Sequence, residues 1–409
     1  MCEMKTIFIL CDALKSLYLT EKNMPFLFSL SKSGLYIKHI IPCAGFCERS
    51  EIFSGLDGYD TGNFTAIGYL PEESPYKGDA RMLRVFESIR TFDERVYNRV
   101  FRYWRTRKNR TLGGYRIPPL SLTKFALTED GKKSLIAHRE IFQELDEKGM
   151  TYTMEGFTSL SDIRKRTTLT IKELAIREIK MGTDFIPLYV GETDSIGHRY
   201  GNDVESIRPT LLATDKLLHE IYDVAIDAGY CFCVMGDHGM VPVTDKIDVI
   251  NEVHQSGCRL HKDYEAFYDS TMARFWFYNE HAKERIRRTL ETKFSNSGFI
   301  VDESNCKKYR IPLDLLCEDG KPVYGDLVWC AHPGVLISPD FFHSERESEN
   351  GMHGYIEVVE GHGTGLYVEM YNGIEHYVIE RAHSSQICGE LCKSLAINEP
   401  NSKEWKRVI

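Results

Sequence analysis

The sequence lacks any apolar segment that approaches the length of a membrane span. Near the N-terminus only residues 7–10 form an apolar stretch, and Cys11 and Asp12 follow it at once. A transmembrane helix needs about 20 predominantly apolar residues. We therefore expect no membrane partner for this chain.

The sequence also lacks a regular cysteine framework. Its 12 cysteines are scattered and form no pair of Cys-x-x-Cys motifs. Cys11, Cys231 and Cys233 lie inside apolar runs, where free thiols behave as small hydrophobic side chains. This distribution is typical of buried thiols in a reducing compartment, so we expect a cytoplasmic protein.

Positive charge is in deficit. The formal net charge is -9 at pH 7, which argues against general affinity for nucleic acid. A local exception is residues 99–116, a strongly basic stretch that carries Phe101, Tyr103 and Trp104. Such a stretch is more often a solvated helix face than an anion-binding surface, and both interpretations stay open.

Three separate apolar runs end on an aspartate. They are residues 5–12, 184–194 and 230–237, and their last residues are Asp12, Asp194 and Asp237. Short apolar runs predict buried strands of a largely parallel sheet, and ligands of such sheets bind beyond the carboxyl ends of the strands. The pattern therefore predicts that three carboxylates converge on one crevice.

Histidines accompany these carboxylates. The motifs are Asp194-Ser-Ile-Gly-His198, Asp237-His238-Gly and, later in the chain, Met352-His353-Gly. Carboxylates mixed with imidazoles suit zinc, manganese or iron, and six such ligands are too many for one tetrahedral ion. The sequence therefore predicts a site for two divalent metal ions. The three histidines favour zinc, and manganese tolerates the same ligands.

The order of elements indicates an α/β fold with a largely parallel central sheet flanked by helices. Hydrophobic residues make up 42% and charged residues 27% of the chain, as in ordinary globular proteins. Two stretches with a different pattern are interpreted as inserted cap regions. The predicted division is core at 1–73, 164–246 and 325–397, insertions at 74–163 and 247–324, and a polar tail at 398–409.

Five pieces of the sequence together resemble the alkaline phosphatase superfamily, and most of all its nucleotide pyrophosphatase/phosphodiesterase branch. They are the first strand with Asp12, the helix end Ser54-Gly55, Asp194-Ser-Ile-Gly-His198, Gly236-Asp237-His238-Gly239-Met240 and Gly351-Met352-His353-Gly354-Tyr355. Each piece alone is weak evidence, but their shared order is specific. The resemblance implies an alkaline-phosphatase-like core that carries the two inserted caps.

The resemblance also assigns the metal ligands to two ions. It implies two sets of three side chains, Asp12, Asp237 and His238 for one ion and Asp194, His198 and His353 for the other. Two divalent ions about 4 Å apart can clamp the attacking and leaving oxygens of a phosphoryl displacement. His362 competes with His353 for the last position, and we prefer His353 because its distance from the next predicted strand resembles the family's.

The nucleophile is assigned from the same resemblance. In the family a threonine, serine or cysteine-derived residue starts the helix that ends at the equivalent of Ser54-Gly55. It usually stands ten residues before that glycine, and this spacing places Gly45 at the nucleophile's position. A shift of two residues would place Cys47 there, at a helix N-terminus where the dipole and a metal lower a thiol's pKa. Cys47 is the predicted nucleophile, with Ser50 and Cys43 as alternatives, and Arg49 is predicted to contact a phosphate oxygen. A water activated by the metals is a further alternative.

The sequence thus predicts a metal-dependent hydrolase of phosphoric diesters or pyrophosphates that acts on phosphorylated, nucleotide-like substrates. A phosphomonoesterase or phosphomutase of the same superfamily is an alternative, because the metal site serves either chemistry. A catalytically degraded, metal-retaining binding protein is another, because Gly45 has no hydroxyl. Tyr115, Trp104 or Phe275 could stack a base. The oligomeric state is not predicted.

Overall fold

The computed structural model describes residues 4–45, 48–92, 94–128, 135–157, 169–343 and 349–401. The strands are β1 Thr6–Cys11, β2 Leu35–Ile41, β3 Ile67–Tyr69, β4 Phe125–Leu127, β5 Phe185–Val190, β6 Cys231–His238, β7 Val241–Pro242, β8 Asp245–Ile247, β9 Tyr264–Tyr268, β10 Met272–Phe277, β11 Gly298–Val301, β12 Leu327–Ala331, β13 Val335–Ile337, β14 Gly351–Met352, β15 Thr364–Met370 and β16 Tyr377–His383. The helices are α1 Pro25–Leu30, α2 Glu48–Ser54, α3 Gly58–Thr61, α4 Ala80–Phe92, α5 Glu94–Lys108, α6 Ile141–Lys148, α7 Ile171–Met181, α8 Glu192–Tyr200, α9 Val204–Asp227, α10 Val249–Gln255, α11 Glu280–Lys293 and α12 Ile387–Ser394.

A six-stranded sheet forms the centre of the fold. Its strand order is β16-β2-β15-β6-β1-β5, and every strand except β15 runs in the same direction. Strands β1, β5 and β6 are almost wholly buried, which explains why their sequences are continuous apolar runs. The predicted α/β fold with a largely parallel central sheet is confirmed.

Helices cover both faces of this sheet. Successive residues of a strand point to opposite faces, and β1 shows the consequence. Ile7 and Ile9 lie in a hydrophobic core with α1, α7 and α9, whereas Phe8 and Leu10 lie in a second core with α2, α6 and α12. Because both faces of β1 are buried, the residue that follows the strand is held firmly in place.

The two predicted insertions pack together. A four-stranded antiparallel sheet has the strand order β11-β12-β10-β9, and its strands lie between β6 and β15 in the sequence. Its aromatic side chains share one hydrophobic core with α4 and α5. Leu83 and Phe101 from the first stretch meet Phe267 and Trp276 from the second in this core. Strand β12 extends the sheet beyond residue 324. The segment boundaries given above stay predictions.

A buried ion pair joins this second sheet to β3. Arg274 of β10 is 0% exposed, and its Nε donates to Oδ2 of Asp269 at 2.7 Å. Its Nη1 donates to the carbonyl oxygen of Ile67 at 2.7 Å. The guanidinium also lies 4.6 Å from the centre of the Phe267 ring. One cation therefore satisfies a buried carboxylate and a strand carbonyl together.

The basic stretch at 99–116 spans the end of α5 and the loop after it. Phe101 is buried in the core, whereas Tyr103 is 59% exposed, so the helix presents an apolar face inward and a polar face outward. Over the residues described, no helix combines the length and the apolar character needed to cross a membrane.

Candidate functional site

The first set of predicted ligands lies at the carboxyl ends of two adjacent parallel strands. Asp12 follows β1 directly, and Asp237 and His238 are the last residues of β6. Strand β1 pairs with β6 on one side and β5 on the other, which brings all three strand ends to one edge of the sheet. The donor atoms of the three side chains lie within 4.8 Å of one another.

The second set combines a helix and a loop. Asp194 and His198 stand four residues apart on α8, which follows β5, so they share one face of the helix. His353 follows β14, and β14 pairs with β7 just after the His238 motif. The donor atoms of Asp194, His198 and His353 also lie within 4.8 Å of one another. The sequence pattern therefore selected six residues that the fold brings into two clusters.

The two clusters are neighbours. The imidazole rings of His238 and His353 stack with their centroids 4.0 Å apart and an interplanar angle of 8°. Each ring belongs to a different set of three donors. This adjacency is the arrangement that two ions acting on one phosphate require.

Close backbone approach at two glycines makes this geometry possible. A Cβ at position 236 would lie 2.0 Å from the carbonyl oxygen of Leu14, and a Cβ at position 351 would lie 2.5 Å from the carbonyl oxygen of Gly197. Gly236 precedes Asp237 in β6, and Gly351 precedes the His353 loop. Any larger residue would push the ligand-bearing segments apart.

Unsatisfied oxygens indicate that the clusters suit cations. Oδ1 of Asp12 and Oδ1 of Asp194 are buried, and neither makes a hydrogen bond to the described residues. Oδ1 of Asp12 faces Nε2 of His238 at 3.2 Å. Oδ1 of Asp194 faces Nε2 of His198 at 3.2 Å and Nε2 of His353 at 3.5 Å. A divalent ion between these donors would satisfy the buried oxygens, so the residues fit the metals that the family resemblance implies.

Backbone carbonyls orient two of the imidazoles. Nδ1 of His198 lies 3.0 Å from the carbonyl oxygen of Gly351, and Nδ1 of His238 lies 2.9 Å from that of Gly239. A proton on each Nδ1 would make these contacts hydrogen bonds and leave Nε2 as the donor atom for a metal. Nε2 is the atom that each ring directs toward its carboxylate partner.

Electrostatics favour the metal-binding forms of His353 and Asp194 but not of His198, whose pKa burial would lower and the contact with Asp194 raises. Burial lowers the pKa of His353 well below its usual value, and the neighbouring His238 and His198 lower it further. Burial alone would raise the pKa of Asp194, but the His198 imidazole outweighs this effect and lowers it. A neutral imidazole and an ionised carboxylate are both ready ligands.

Two residues that hold Asp12 were not predicted from the sequence. The hydroxyl of Tyr189 donates to Oδ2 of Asp12, and the hydroxyl of Thr193 donates to its backbone carbonyl. Burial, followed by the charge of Asp12, raises the pKa of Tyr189, so the phenol stays protonated. Both residues belong to the apolar run that ends on Asp194, where Tyr189 pairs with Leu10 of β1 and Thr193 lies in α8.

A second missed group stands next to His198. The ring centroids of His343 and His198 are 6.0 Å apart. Nδ1 of His343 lies 2.9 Å from Oδ2 of the buried Asp340, which also accepts a 2.7 Å hydrogen bond from the hydroxyl of Ser270. Asp340 and His343 lie outside any helix or strand, so no periodic pattern marks them in the sequence.

The segment predicted to carry the nucleophile lies against the metal cluster. A narrow cleft is lined by Cys43, Gly45, His238 and His353. Gly45 has a φ of +104°, and a Cβ there would lie 1.7 Å from the carbonyl oxygen of Phe64. No side chain fits at this position, which excludes the ungapped register as a source of the nucleophile.

The candidates near Gly45 differ in their surroundings. Cys47 lies outside the described residues. Burial, followed by the charge of Glu51, raises the pKa of the Cys43 thiol well above its usual value, so this thiol is protonated. Ser50 is buried within α2. Burial raises the pKa of Glu140 at the start of α6, and the charge of Arg49 opposes this shift. Contact between Arg49 and a phosphate oxygen stays a prediction.

His362, the rival of His353, lies outside both clusters. Burial and the charge of Lys15 lower its pKa. Its backbone carbonyl oxygen would be 2.1 Å from a Cβ at position 239, which explains the glycine there. The geometry therefore favours His353 as the third member of the second set.

Comparisons with known proteins agree with this fold. The chain is similar in structure to human ectonucleotide pyrophosphatase/phosphodiesterase 5, with a TM-score of 0.68 and 13% sequence identity over 96% of this chain and 95% of that one. It is also similar to the murine protein of the same name in an inactive form in complex with AMP, with a TM-score of 0.70 and 12% identity over 98% of this chain and 97% of that one. The TM-scores show a shared fold, and at such low sequence identity they show the fold alone. No curated protein sequence matches the chain.

The family model described as type I phosphodiesterase / nucleotide pyrophosphatase matches residues 57–356, more than half of the chain. This range contains Asp194, His198, Asp237, His238 and His353. The match agrees with the order of motifs and with the alkaline-phosphatase-like fold. The chain belongs to the type I phosphodiesterase/nucleotide pyrophosphatase family of the alkaline phosphatase superfamily, whose members are phosphodiesterase- and pyrophosphatase-type hydrolases.

Proposed function

We propose that the protein is a two-metal hydrolase that cleaves phosphodiester or pyrophosphate bonds in nucleotide-like substrates. One observation carries the proposal: two sets of three metal-type donors lie side by side and are joined by the stacked rings of His238 and His353. Family membership supports the general reaction.

The proposed metal ligands are the six clustered side chains. One ion is assigned to Asp12, Asp237 and His238, and the other to Asp194, His198 and His353. When bound, such ions neutralise phosphate charge and activate an oxygen or sulfur nucleophile. The three imidazoles favour zinc, and manganese is the alternative. The role of the protein is to hold the donors in place, through Tyr189 on Asp12 for example.

Substrate binding is assigned to the crevice around Asp194. A cleft of about 690 Å³ lies beside Asp194 and is lined in part by Tyr189 and Ser195, a volume that suits a nucleotide-sized ligand. The murine structure with AMP supports a nucleotide-like ligand. Among the aromatic candidates, Phe275 is fully buried, whereas Tyr115 and Trp104 are partly buried, so these two stay candidates for stacking a base.

The test of this function compares two chromogenic substrates that differ only in esterification. Metal-stripped protein should hydrolyse neither, and added zinc or manganese should restore cleavage of the phosphodiester at least about tenfold faster than that of the phosphomonoester. Initial rates at matched concentrations provide the measurement. Restored cleavage of the monoester alone would replace the proposal with a phosphatase.

No side chain fits at Gly45, the position that the resemblance assigns to the nucleophile. This favours a second candidate function, that of a metal-retaining protein that binds a phosphorylated ligand without turnover. Calorimetry with AMP distinguishes the two candidates. Binding of AMP together with full metal content and no cleavage of either ester would support the binding protein.

The nucleophile is predicted to be Cys47, and a serine substitution tests it. Cys47→Ser should lower kcat at least about 100-fold, because a hydroxyl is a weaker nucleophile than a thiolate near neutral pH. Cys43→Ser is the matched control, since the Cys43 thiol is held protonated, and it should stay within about threefold of the unsubstituted protein. Unchanged kcat in Cys47→Ser would remove the Cys47 thiol from the mechanism and leave Ser50, Cys43 or a metal-activated water as the nucleophile.

We also propose a reducing, cytoplasmic location. All cysteines in the described part of the chain are free, including Cys388 and Cys392, which stand four residues apart on α12. Free thiols persist where glutathione and thioredoxin keep them reduced.

A further inference from the structure

A third group of metal-type donors lies at the opposite end of β6. Cys231 and Cys233 stand on this strand, and Glu369 of β15 is the register partner of Cys233. Their donor atoms lie within 4.8 Å of one another. The cysteines are 0% exposed and Glu369 is 6% exposed. Asp237 follows Cys233 by four residues of extended strand, about 13 Å at 3.3 Å per residue, so this group is separate from the crevice.

The spacing of the two sulfur atoms is unusual for a strand. Residues two apart on a strand stand about 6.6 Å from each other on the same face. The Sγ atoms of Cys231 and Cys233 are nevertheless 3.7 Å apart, and the two thiols are free. Two thiolates on one tetrahedral zinc, each about 2.3 Å from the ion, would be roughly 3.8 Å apart. The two thiols are hydrogen-bonded to each other, and their separation also matches the span that a shared ion requires.

The carboxylate is also oriented. The hydroxyl of Tyr367 donates to Oε2 of Glu369 at 2.7 Å, as outer-shell partners of metal ligands commonly do. Burial raises the pKa of Glu369 to about 7. Hydrogen bonding to Cys233 and burial raise the pKa of Cys231. A bound divalent ion would favour the ionised forms of all three groups.

We propose that Cys231, Cys233 and Glu369 bind a thiophilic divalent cation of the zinc type, separate from the two ions of the crevice. Binding releases the two thiol protons and, where the carboxyl of Glu369 is protonated, its proton, and it forms two metal–sulfur bonds and one metal–oxygen bond. The ion would fasten β15 to the start of β6, the strand whose other end carries Asp237 and His238. Its role is structural, because all three donors are buried away from the crevice.

Cobalt(II) spectroscopy tests this site because thiolate–cobalt bonds absorb in the near ultraviolet and oxygen or nitrogen ligands do not. The experiment uses the full chain with Cys43→Ser and Cys47→Ser, which removes the thiols proposed near the crevice. Protein produced with cobalt should show the thiolate band, and Cys231→Ser should abolish it. Cys330→Ser, a buried cysteine of β12, is the matched control and should keep the band.

Metal analysis provides the second measurement. Zinc-loaded protein should hold about three ions per chain, and Glu369→Gln, which keeps the shape of the side chain, should lose about one of them. Glu369→Gln also serves if Cys231→Ser does not fold. The absence of a thiolate band in folded, cobalt-loaded protein, or its persistence in Cys231→Ser, would overturn the proposal. Hydrolysis of the phosphodiester is measured in parallel on the unsubstituted chain and on Cys231→Ser alone, both of which keep Cys47, so failure of this site is distinguishable from failure of the proposed function.

Discussion

Replacement of His353 by alanine should lower kcat/KM for a phosphodiester by roughly 10³-fold or more. His353 belongs to the set with Asp194 and His198, and its ring stacks on His238 of the other set. Its removal takes one donor from the second ion and the stacking partner from the first cluster. Loss of an outer-shell partner alone costs 10–100-fold in many metal sites, so loss of a direct ligand should cost more. Steady-state kinetics with metal analysis provides the measurement.

His362→Ala is the matched control for this prediction. His362 is a histidine of the neighbouring loop that belongs to neither cluster, and its substitution should cost less than about tenfold. Equal losses in the two variants, or a larger loss in His362→Ala, would transfer the ligand role to His362. Full activity in His353→Ala with one fewer bound metal would instead separate the second ion from catalysis.

Replacement of Arg274 by methionine should lower the free energy of unfolding by about 3–5 kcal/mol. The substitution preserves most of the side-chain volume but leaves the buried carboxylate of Asp269 and the carbonyl of Ile67 without their donor. An uncompensated buried charge is the main source of this cost. Chemical denaturation followed by circular dichroism provides the measurement, in the range where unfolding is reversible.

A double variant separates the charge from the packing. Arg274→Met combined with Asp269→Asn removes the stranded carboxylate and should recover a substantial part of the loss. Lys293→Met, which removes a half-exposed cation that pairs with Glu252 on the surface, should cost less than about 1 kcal/mol. A cost below about 1 kcal/mol for Arg274→Met would show that the ion pair contributes little net stability.

The sequence could predict that the six candidate ligands come together, because several of them stand at or just after strand ends. Asp12, Asp194 and Asp237 each terminate an apolar run, and parallel strands bring such ends to one edge. The nucleophile could not be placed in the same way. Residue 45 must be glycine because the carbonyl of Phe64 occupies the space of a Cβ there. The sequence does not show that residue 64 approaches this loop.

The residues around the cluster could not be predicted, because their positions depend on contacts between distant segments. Asp340 and His343 reach His198 through a loop without periodic pattern. Cys233 was correctly predicted to be buried, but its pairing with Glu369 depends on β15, the one strand of the central sheet that runs against the others. A sequence pattern predicts which residues of a strand share a face, but it does not predict which strand pairs with it.

The short ladder between β7 and β14 has a consequence for metal exchange. Met352 pairs with Val241, so the loops that carry His353 and His238 are tied by peptide hydrogen bonds within a few residues of each imidazole. The pairing of β7 with β14 therefore helps to fix the distance between the His238 and His353 rings. If the proposed ions bind, the carboxylates would have to move to accommodate an ion of larger radius, because the backbone holds the two imidazoles in place.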